Sequence, residues 1–132
     1  MVVAIIGLAA GAVVLSVPDP KPAVVVEAER FAARLVRARE EAILTNRPVA
    51  VDATAQGYAF SAFDGVEWAP LTEGPFGPEE WTEGATVSPV EPPTRVVFDP
   101  SGVADPVRLT LSRDGRSRTV EVDGAGEVRV DG

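Results

Sequence analysis

The side chains of this sequence that are suited to chemistry are its carboxylates and hydroxyls, and most of them fall where turns are predicted. A short carboxylate beside Gly or Pro commonly accepts hydrogen bonds from its own backbone. The aspartates in such positions are Asp99, Asp105, Asp114, Asp123 and Asp131. A calcium loop needs repeated, closely spaced oxygen ligands, which this pattern does not supply. Ser101 has no histidine to activate it, because the chain contains none. We therefore assign no catalytic, cofactor-binding or metal-binding residue.

The composition narrows the function classes further. The absence of Cys excludes disulfides, thiol nucleophiles and Cys-ligated zinc, and the absence of His removes the usual general base. Lys and Arg number 12 against 20 Asp and Glu, which gives a net charge of -8. Nucleic-acid binding depends on clustered cations, so we expect no nucleic-acid partner. We expect a structural or binding protein that is not an enzyme and needs no cofactor.

Residues 1–15 carry no charged or polar side chain. Extended to Val17, a helix would reach ~25 Å, against ~30 Å for the hydrocarbon core of a bilayer. A buried core helix, a cleaved secretory signal and a transmembrane anchor are the possible explanations. A buried core helix usually keeps a polar face, which this run lacks. A secretory signal needs basic residues before the apolar run and a cleavage site after it. We predict a membrane anchor whose packing residues are Val2, Val3, Ile5, Ile6, Gly7, Leu8, Gly11, Val13, Val14 and Leu15.

The two glycines of this run are spaced as a small-xxx-small pair, Gly7 and Gly11. This spacing allows helices to approach closely, although glycine is also generally tolerated in membrane helices. The prolines of residues 18–22 then interrupt any helix. We expect three parts: a hydrophobic membrane helix at 1–17, a proline-rich break at 18–22, and a helix-plus-sheet domain outside the membrane at 23–132.

In residues 23–45 the apolar residues recur at the three- and four-residue spacing of an α-helix. The predicted buried face contains Val24, Ala28, Phe31, Leu35, Ala38 and Ala42, widened by Val25, Ala32, Val36 and Ile43. The predicted solvent face contains Glu27, Arg30, Arg34, Arg37 and Glu41, with an ion pair between Arg37 and Glu41. Asn46 and Pro48 are predicted to end the helix. We predict an amphipathic helix that lies against a sheet.

Beyond Pro48 apolar residues recur at every second position, which indicates strands. Residues 49–71 predict an antiparallel meander, with a turn at Asp64-Gly65 and a strand from Val66 to Trp68. Residues 73–80 predict a loop, after which Phe76 and Trp81 fold back on the sheet. Further strands are predicted at 85–87 and 94–98, followed by a C-terminal meander at 107–111, 119–122 and 128–130. One helix packed on antiparallel sheets is an α+β fold.

Several segments follow one another in a recognisable order. They are Ala-Ile-Ile-Gly-Leu at 4–8, Glu-Ala-Glu-Arg-Phe-Ala-Ala-Arg-Leu at 27–35, Ala-Arg-Glu-Glu-Ala-Ile-Leu-Thr-Asn-Arg-Pro at 38–48, Val-Val-Phe-Asp-Pro-Ser-Gly at 96–102 and Thr-Val-Glu-Val-Asp-Gly-Ala-Gly-Glu-Val-Arg-Val at 119–130. Together they resemble the GspH/FimT family of minor pseudopilins and minor type IV pilins. The resemblance implies a pilin-like fold and a structural subunit of the periplasmic pseudopilus in type II protein secretion.

The resemblance also implies location and partners. Family members are single-pass proteins of the bacterial inner membrane, and they assemble with other major and minor pseudopilins. They begin with a basic leader and a Gly followed by Phe-Thr-Leu-x-Glu, where the prepilin peptidase cuts and methylates the new N-terminus. No such motif precedes Met1. We therefore expect about two further helical turns before Met1, with Met1 either an internal methionine or the first residue of a truncated chain.

Two other function classes stay open. A minor type IV pilin with a role in DNA uptake would be favoured by a basic C-terminal patch, but the last residues contain one Arg and two acids. A membrane-anchored β-domain that binds a ligand would be favoured by exposed aromatic rings among Tyr58, Trp68, Phe76 and Trp81. Such rings are more often part of a core.

Overall fold

The computed structural model describes residues 23–89 and 94–131. Within them one α-helix, α1, spans Val24–Thr45. The strands are β1 (Val49–Ala53), β2 (Gly57–Phe63), β3 (Trp68–Pro70), β4 (Glu79–Glu80), β5 (Thr86–Ser88), β6 (Thr94–Phe98), β7 (Val107–Arg113), β8 (Arg116–Val122) and β9 (Val128–Asp131). A short 3₁₀ helix covers Gly74–Phe76. The predicted α+β fold is confirmed.

Helix α1 lies where the helical period predicted it. The six residues of its predicted central stripe are all buried. The stripe is narrower than predicted, because Val36 and Ile43 stay 41% and 44% exposed at the edge of the helix. The helix ends at Thr45 and is capped by Asn46, whose φ of 54° is a left-handed conformation that Asn tolerates. The predicted pair of Arg37 with Glu41 is wrong, since Arg37 lies 3.5 Å from Glu40 instead.

The first sheet, sheet A, has the order β3-β2-β1-β6, with β4 also paired to β2. All its pairs are antiparallel, so the predicted meander at 49–71 is confirmed. The meander turns later than predicted, because Val66 belongs to the turn and β3 begins at Trp68. The carboxylate of Asp64 accepts hydrogen bonds from the backbone N–H groups of Val66 and Glu67, which holds these residues in the turn.

The second sheet, sheet B, has the order β5-β7-β8-β9 and is also antiparallel. It contains the predicted C-terminal meander. Asp114 and Gly115 connect β7 to β8 with φ values of 54° and 75°, as a tight hairpin turn requires. The addition of β5 to this sheet is not visible in the sequence, because the chain leaves sheet A after β4 and returns to it at β6.

The core lies between α1 and the inner faces of both sheets. Its largest fully buried side chains are Phe31, Leu35, Val49, Val51, Val96, Phe98, Leu109, Leu111, Val120 and Val122. On β2 the buried Tyr58, Phe60 and Ala62 alternate with more exposed residues, as a strand period of two requires, whereas three consecutive residues of β1, Val49, Ala50 and Val51, are buried. Each sheet therefore covers a different part of the single helix.

Candidate functional site

The residues predicted to anchor and pack the N-terminal helix, from Val2 to Leu15, lie outside the described residues. Their role therefore stays a prediction. In the part of the chain that is described, no helix combines the length and the apolar character needed to cross a bilayer. The surfaces considered below belong to residues 23–89 and 94–131.

The aspartates singled out in the sequence serve the backbone or lie apart. The carboxylate of Asp123 accepts hydrogen bonds from the N–H groups of Ala125 and Glu127, at 2.9 and 3.0 Å. Asp99 and Asp114 lie in turns, as predicted, whereas Asp131 lies in β9 and not in a turn. Among the described residues, no three acidic side chains are grouped to hold a metal ion. Ser101 is exposed at the tip of its turn.

A long connection from sheet A to sheet B crosses α1, and we call residues 71–85 the strap. The predicted inward folding of Phe76 and Trp81 is confirmed, because both side chains are buried. The indole of Trp81 donates a 2.8 Å hydrogen bond to the Thr54 carbonyl. Its ring centroid lies 5.3 Å from that of Phe31 on α1. The strap is therefore attached to both the sheet and the helix.

Two charged residues of α1 hold the strap from the other side. Arg34 donates a 2.9 Å hydrogen bond to the Pro75 carbonyl and forms a 2.8 Å ion pair with Glu79. Glu27 was predicted to face solvent, but it is only 6% exposed. Its carboxylate accepts a 2.6 Å hydrogen bond from the Thr82 N–H. The prediction fails because the strap covers the face of α1 on which Glu27 lies.

The aromatic side chains form a cluster beneath the strap. Tyr58 lies 4.7 Å from Phe31 and 4.9 Å from Trp81, measured between ring centroids. Burial raises the pKa of Tyr58 to about 12. Trp68 is half-buried on the outer face of sheet A, against Phe63 and beneath the Arg95 guanidinium. The cluster is part of the core, and it does not form the exposed aromatic surface that a ligand-binding domain would need.

Two turns of the same type meet beside α1. The turns Asp99–Val103 and Asp123–Glu127 each close with a hydrogen bond from the Asp N–H to the fifth residue's carbonyl. Gly126 lies so close to the Gly102 carbonyl that a Cβ atom at Gly126 would overlap it. Arg39 of α1 donates a 2.9 Å hydrogen bond to that same carbonyl. This junction connects the end of sheet A, sheet B and the helix.

The outer face of sheet B is polar. Glu121 accepts hydrogen bonds from Arg108 and Arg129, and these contacts hold the pKa of Glu121 below its usual value. Cross-strand hydroxyl pairs continue the row, with Thr110 and Thr119 3.2 Å apart and Ser112 and Ser117 2.9 Å apart. The polar side chains of this row are therefore paired with one another across the strands.

Apolar side chains are exposed at the opposite end of α1 from its first residue. Ile43 lies beside Gly102, next to Val103, which is 46% exposed. Leu44 is 81% exposed on the outer side of the same turn of the helix. Ile43 was predicted to widen the buried face of the helix, whereas no role was predicted for Leu44 or Val103. Nothing in the local pattern indicates where the buried stripe stops.

The arrangement of one helix across two antiparallel sheets is shared with solved pilin-like proteins. The minor pseudopilin EpsH of the Vibrio cholerae type 2 secretion system superimposes with a TM-score of 0.68 at 20% identity, covering 81% of this chain and 94% of that chain. Escherichia coli GspH superimposes with a TM-score of 0.61 at 21% identity, covering 78% of this chain and 83% of that chain. The Pseudomonas aeruginosa type IV minor pilin FimU superimposes with a TM-score of 0.64 at 17% identity, covering 83% of this chain and 88% of that chain.

At these identities the likeness establishes a pilin-like fold. No curated protein sequence matches the chain. Residues 27–126 match the family described as "Type II transport protein GspH". The chain belongs to this family, and the resemblance drawn from its sequence is confirmed. Its role is therefore that of a minor pseudopilin or pilin-like subunit, which assembles with other subunits of the same kind.

Proposed function

We propose that this chain is a minor pseudopilin, a structural subunit of the periplasmic pseudopilus in type II protein secretion. Residues 1–17 hold it in the inner membrane and pack against the N-terminal helices of neighbouring pseudopilins. Residues 23–132 form its periplasmic domain. The observation that carries the proposal is the family match over residues 27–126.

The described surface supports an assembly role. The polar groups of the outer face of sheet B are satisfied within the sheet, and the aromatic rings are mostly buried under the strap. Three of the exposed large apolar side chains, Ile43, Leu44 and Val103, lie near the C-terminal end of α1. The others are Val26, Val36 and Val66. Exposed apolar groups are typical of protein contacts. They suit a subunit that packs against its neighbours.

The proposal is tested by deleting the gene in the source bacterium and measuring secreted enzymes in the culture medium. We expect secretion to fall and to return when the wild-type gene is supplied. A Gly7→Leu, Gly11→Leu variant should restore secretion poorly, because bulky side chains keep the helices apart. Ala9→Leu is the matched control, since residue 9 lies on the opposite side of the same predicted helix.

A minor subunit of a type IV pilus is the second candidate, and the likeness to FimU favours it. The same deletion strain distinguishes the two. If secretion is unchanged while surface pili or pilus-dependent movement are lost, the type IV pilus assignment replaces the first. Intact mass and N-terminal sequencing of the protein from native membranes would show prepilin processing in both cases.

A further inference from the structure

The inner faces of β7 and β8 change from apolar to basic along the hairpin. On β7 the buried Leu109 and Leu111 are followed on the same face by Arg113. On β8 the buried Val122 and Val120 are preceded on the same face by Arg118 and Arg116. Three arginines thus continue the two rows beyond the apolar core, where an alternating strand would otherwise place apolar residues.

This basic end of the hairpin lies at the first turn of α1. The Thr82 N–H donates to Glu27 in that turn, and Gly84, two residues later, lies against the side chain of Arg113. The other end of the hairpin lies farther along the helix, where Arg39 bonds to the Gly102 carbonyl beside Gly126. The strands β7 and β8 therefore run along α1, with Arg113 and Arg116 at its N-terminal end.

The same end carries the connection to residues 1–22, which precede α1 in the chain. Lys21, the only lysine of the sequence, belongs to that segment. Arg113 is buried and pairs with Asp114 at 3.3 Å. Arg116 is exposed, and Arg118 is half-buried with a hydrogen bond to the Ser117 carbonyl. The exposed Asp114 offsets Arg113, and the acidic Glu83 is exposed beside Gly84. Arg116 and Arg118 therefore supply the remaining positive charge of the hairpin tip.

We propose that the tip of the β7–β8 hairpin docks on the anionic phospholipid headgroups of the membrane that holds residues 1–17. This inference rests on the proposed anchor, which brings that end of the domain to the bilayer. A chain of net charge -8 is repelled by an anionic surface, and this repulsion is weakest where the arginines of the hairpin tip face the lipid. Guanidinium groups bind phosphate oxygens with charge-assisted hydrogen bonds. Docking fixes the orientation of the domain before it enters a filament.

The test uses the full chain, which contains no Cys, so that Ser117→Cys places one fluorophore at the exposed hairpin tip. The labelled protein is reconstituted into vesicles of phosphatidylcholine, or of an equal mixture with phosphatidylglycerol. A spin-labelled lipid headgroup quenches the fluorophore when the two are close. We expect severalfold stronger quenching in the mixed vesicles, and we expect high salt to remove the difference.

The variant Arg116→Glu should abolish the extra quenching. Arg108→Glu makes the same charge change on the same hairpin at its other end, and it should leave the quenching unchanged. Circular dichroism checks that both variants are folded. Equal quenching in the two kinds of vesicle, with the protein inserted, would overturn the docking alone. Failure of the protein to float with either kind of vesicle would overturn the anchor, and with it the docking that depends on it.

Discussion

The two sheets contact the same helix by different means. On the side of sheet A, aromatic rings and charged groups make directional contacts, with Tyr58 and Trp81 against Phe31 and Glu27 bonded to the strap. On the side of sheet B, the buried residues of the strands that face the helix are mostly aliphatic, as Leu109 is. Aliphatic packing tolerates substitutions of similar volume, whereas ring geometry and buried hydrogen bonds do not. We expect the strap side to be the more sensitive to single changes.

The largest effect should come from Phe31→Ala. Phe31 is fully buried between Tyr58 and Trp81, and removal of such a ring costs about 3 to 5 kcal/mol of unfolding free energy. The strap should also loosen, because one of its ring contacts is lost. Chemical denaturation measures the first effect, and fluorescence of Trp81 measures the second. The fluorescence is best recorded in a Trp68→Phe background, since Trp68 is the other tryptophan of the chain.

Leu109→Ala is the matched change on sheet B. It removes a fully buried side chain and should cost about 2 to 5 kcal/mol. The emission of Trp81 in the folded state should stay as in the parent protein. A similar shift of Trp81 emission in both variants would contradict the separation of the two sides.

An intermediate effect should follow the ionisation of Tyr58. Its pKa is raised from 10.0 to about 12 by burial, so the unfolded state loses this proton first as the pH rises. The contribution is fully present below pH 10 and is lost as the pH rises through the folded-state pKa. The total loss amounts to about 2 to 3 kcal/mol. Unfolding free energies measured across this pH range should fall less in Tyr58→Phe than in the parent. If the unfolding free energies of the two proteins fell in parallel as the pH rises, groups other than Tyr58 would cause the loss of stability.

The smallest effect should come from Glu27→Gln. The amide keeps an acceptor for the Thr82 N–H but loses the negative charge, and hydrogen bonds to charged groups contribute about 1.5 to 3 kcal/mol. We expect a loss toward the lower end of that range, with faster amide exchange at Thr82. Glu29→Gln is the control, because Glu29 is exposed two residues away on the same helix. Equal stability of the two variants would mean that the charge of Glu27 contributes nothing to holding the strap.

Much of the fold was visible in the sequence because its signals are local. The helical period fixed the buried residues of α1, and Asp-Gly pairs marked hairpin turns such as the one at Asp114. The buried state of Glu27 was not visible, because it depends on the strap arriving from Thr82. The junction of Gly102 with Gly126 was equally hidden, since it joins turns of two different sheets.

The surfaces were harder to predict than the elements. The alternation of Leu109, Leu111 and Arg113 was present in the sequence, but its meaning depends on where α1 begins relative to the hairpin. The exposed apolar side chains of Ile43 and Val103 could be separated from the core only once the two sheets were placed. The residues assigned to the N-terminal helix, among them Gly7 and Gly11, remain a prediction from the sequence.

The position of α1 also determines when its apolar face is covered during synthesis. Among the described elements the helix is made first, yet it packs against β7, β8 and β9, which are made last. A ribosome adds roughly 5 to 20 residues each second, so several seconds separate the completion of α1 from that of β9. During that interval Leu35 and its neighbours on the helix have only part of their final partners. Contact with β1, which follows the helix directly in the chain, is therefore available to α1 earlier than any contact with β7, β8 or β9.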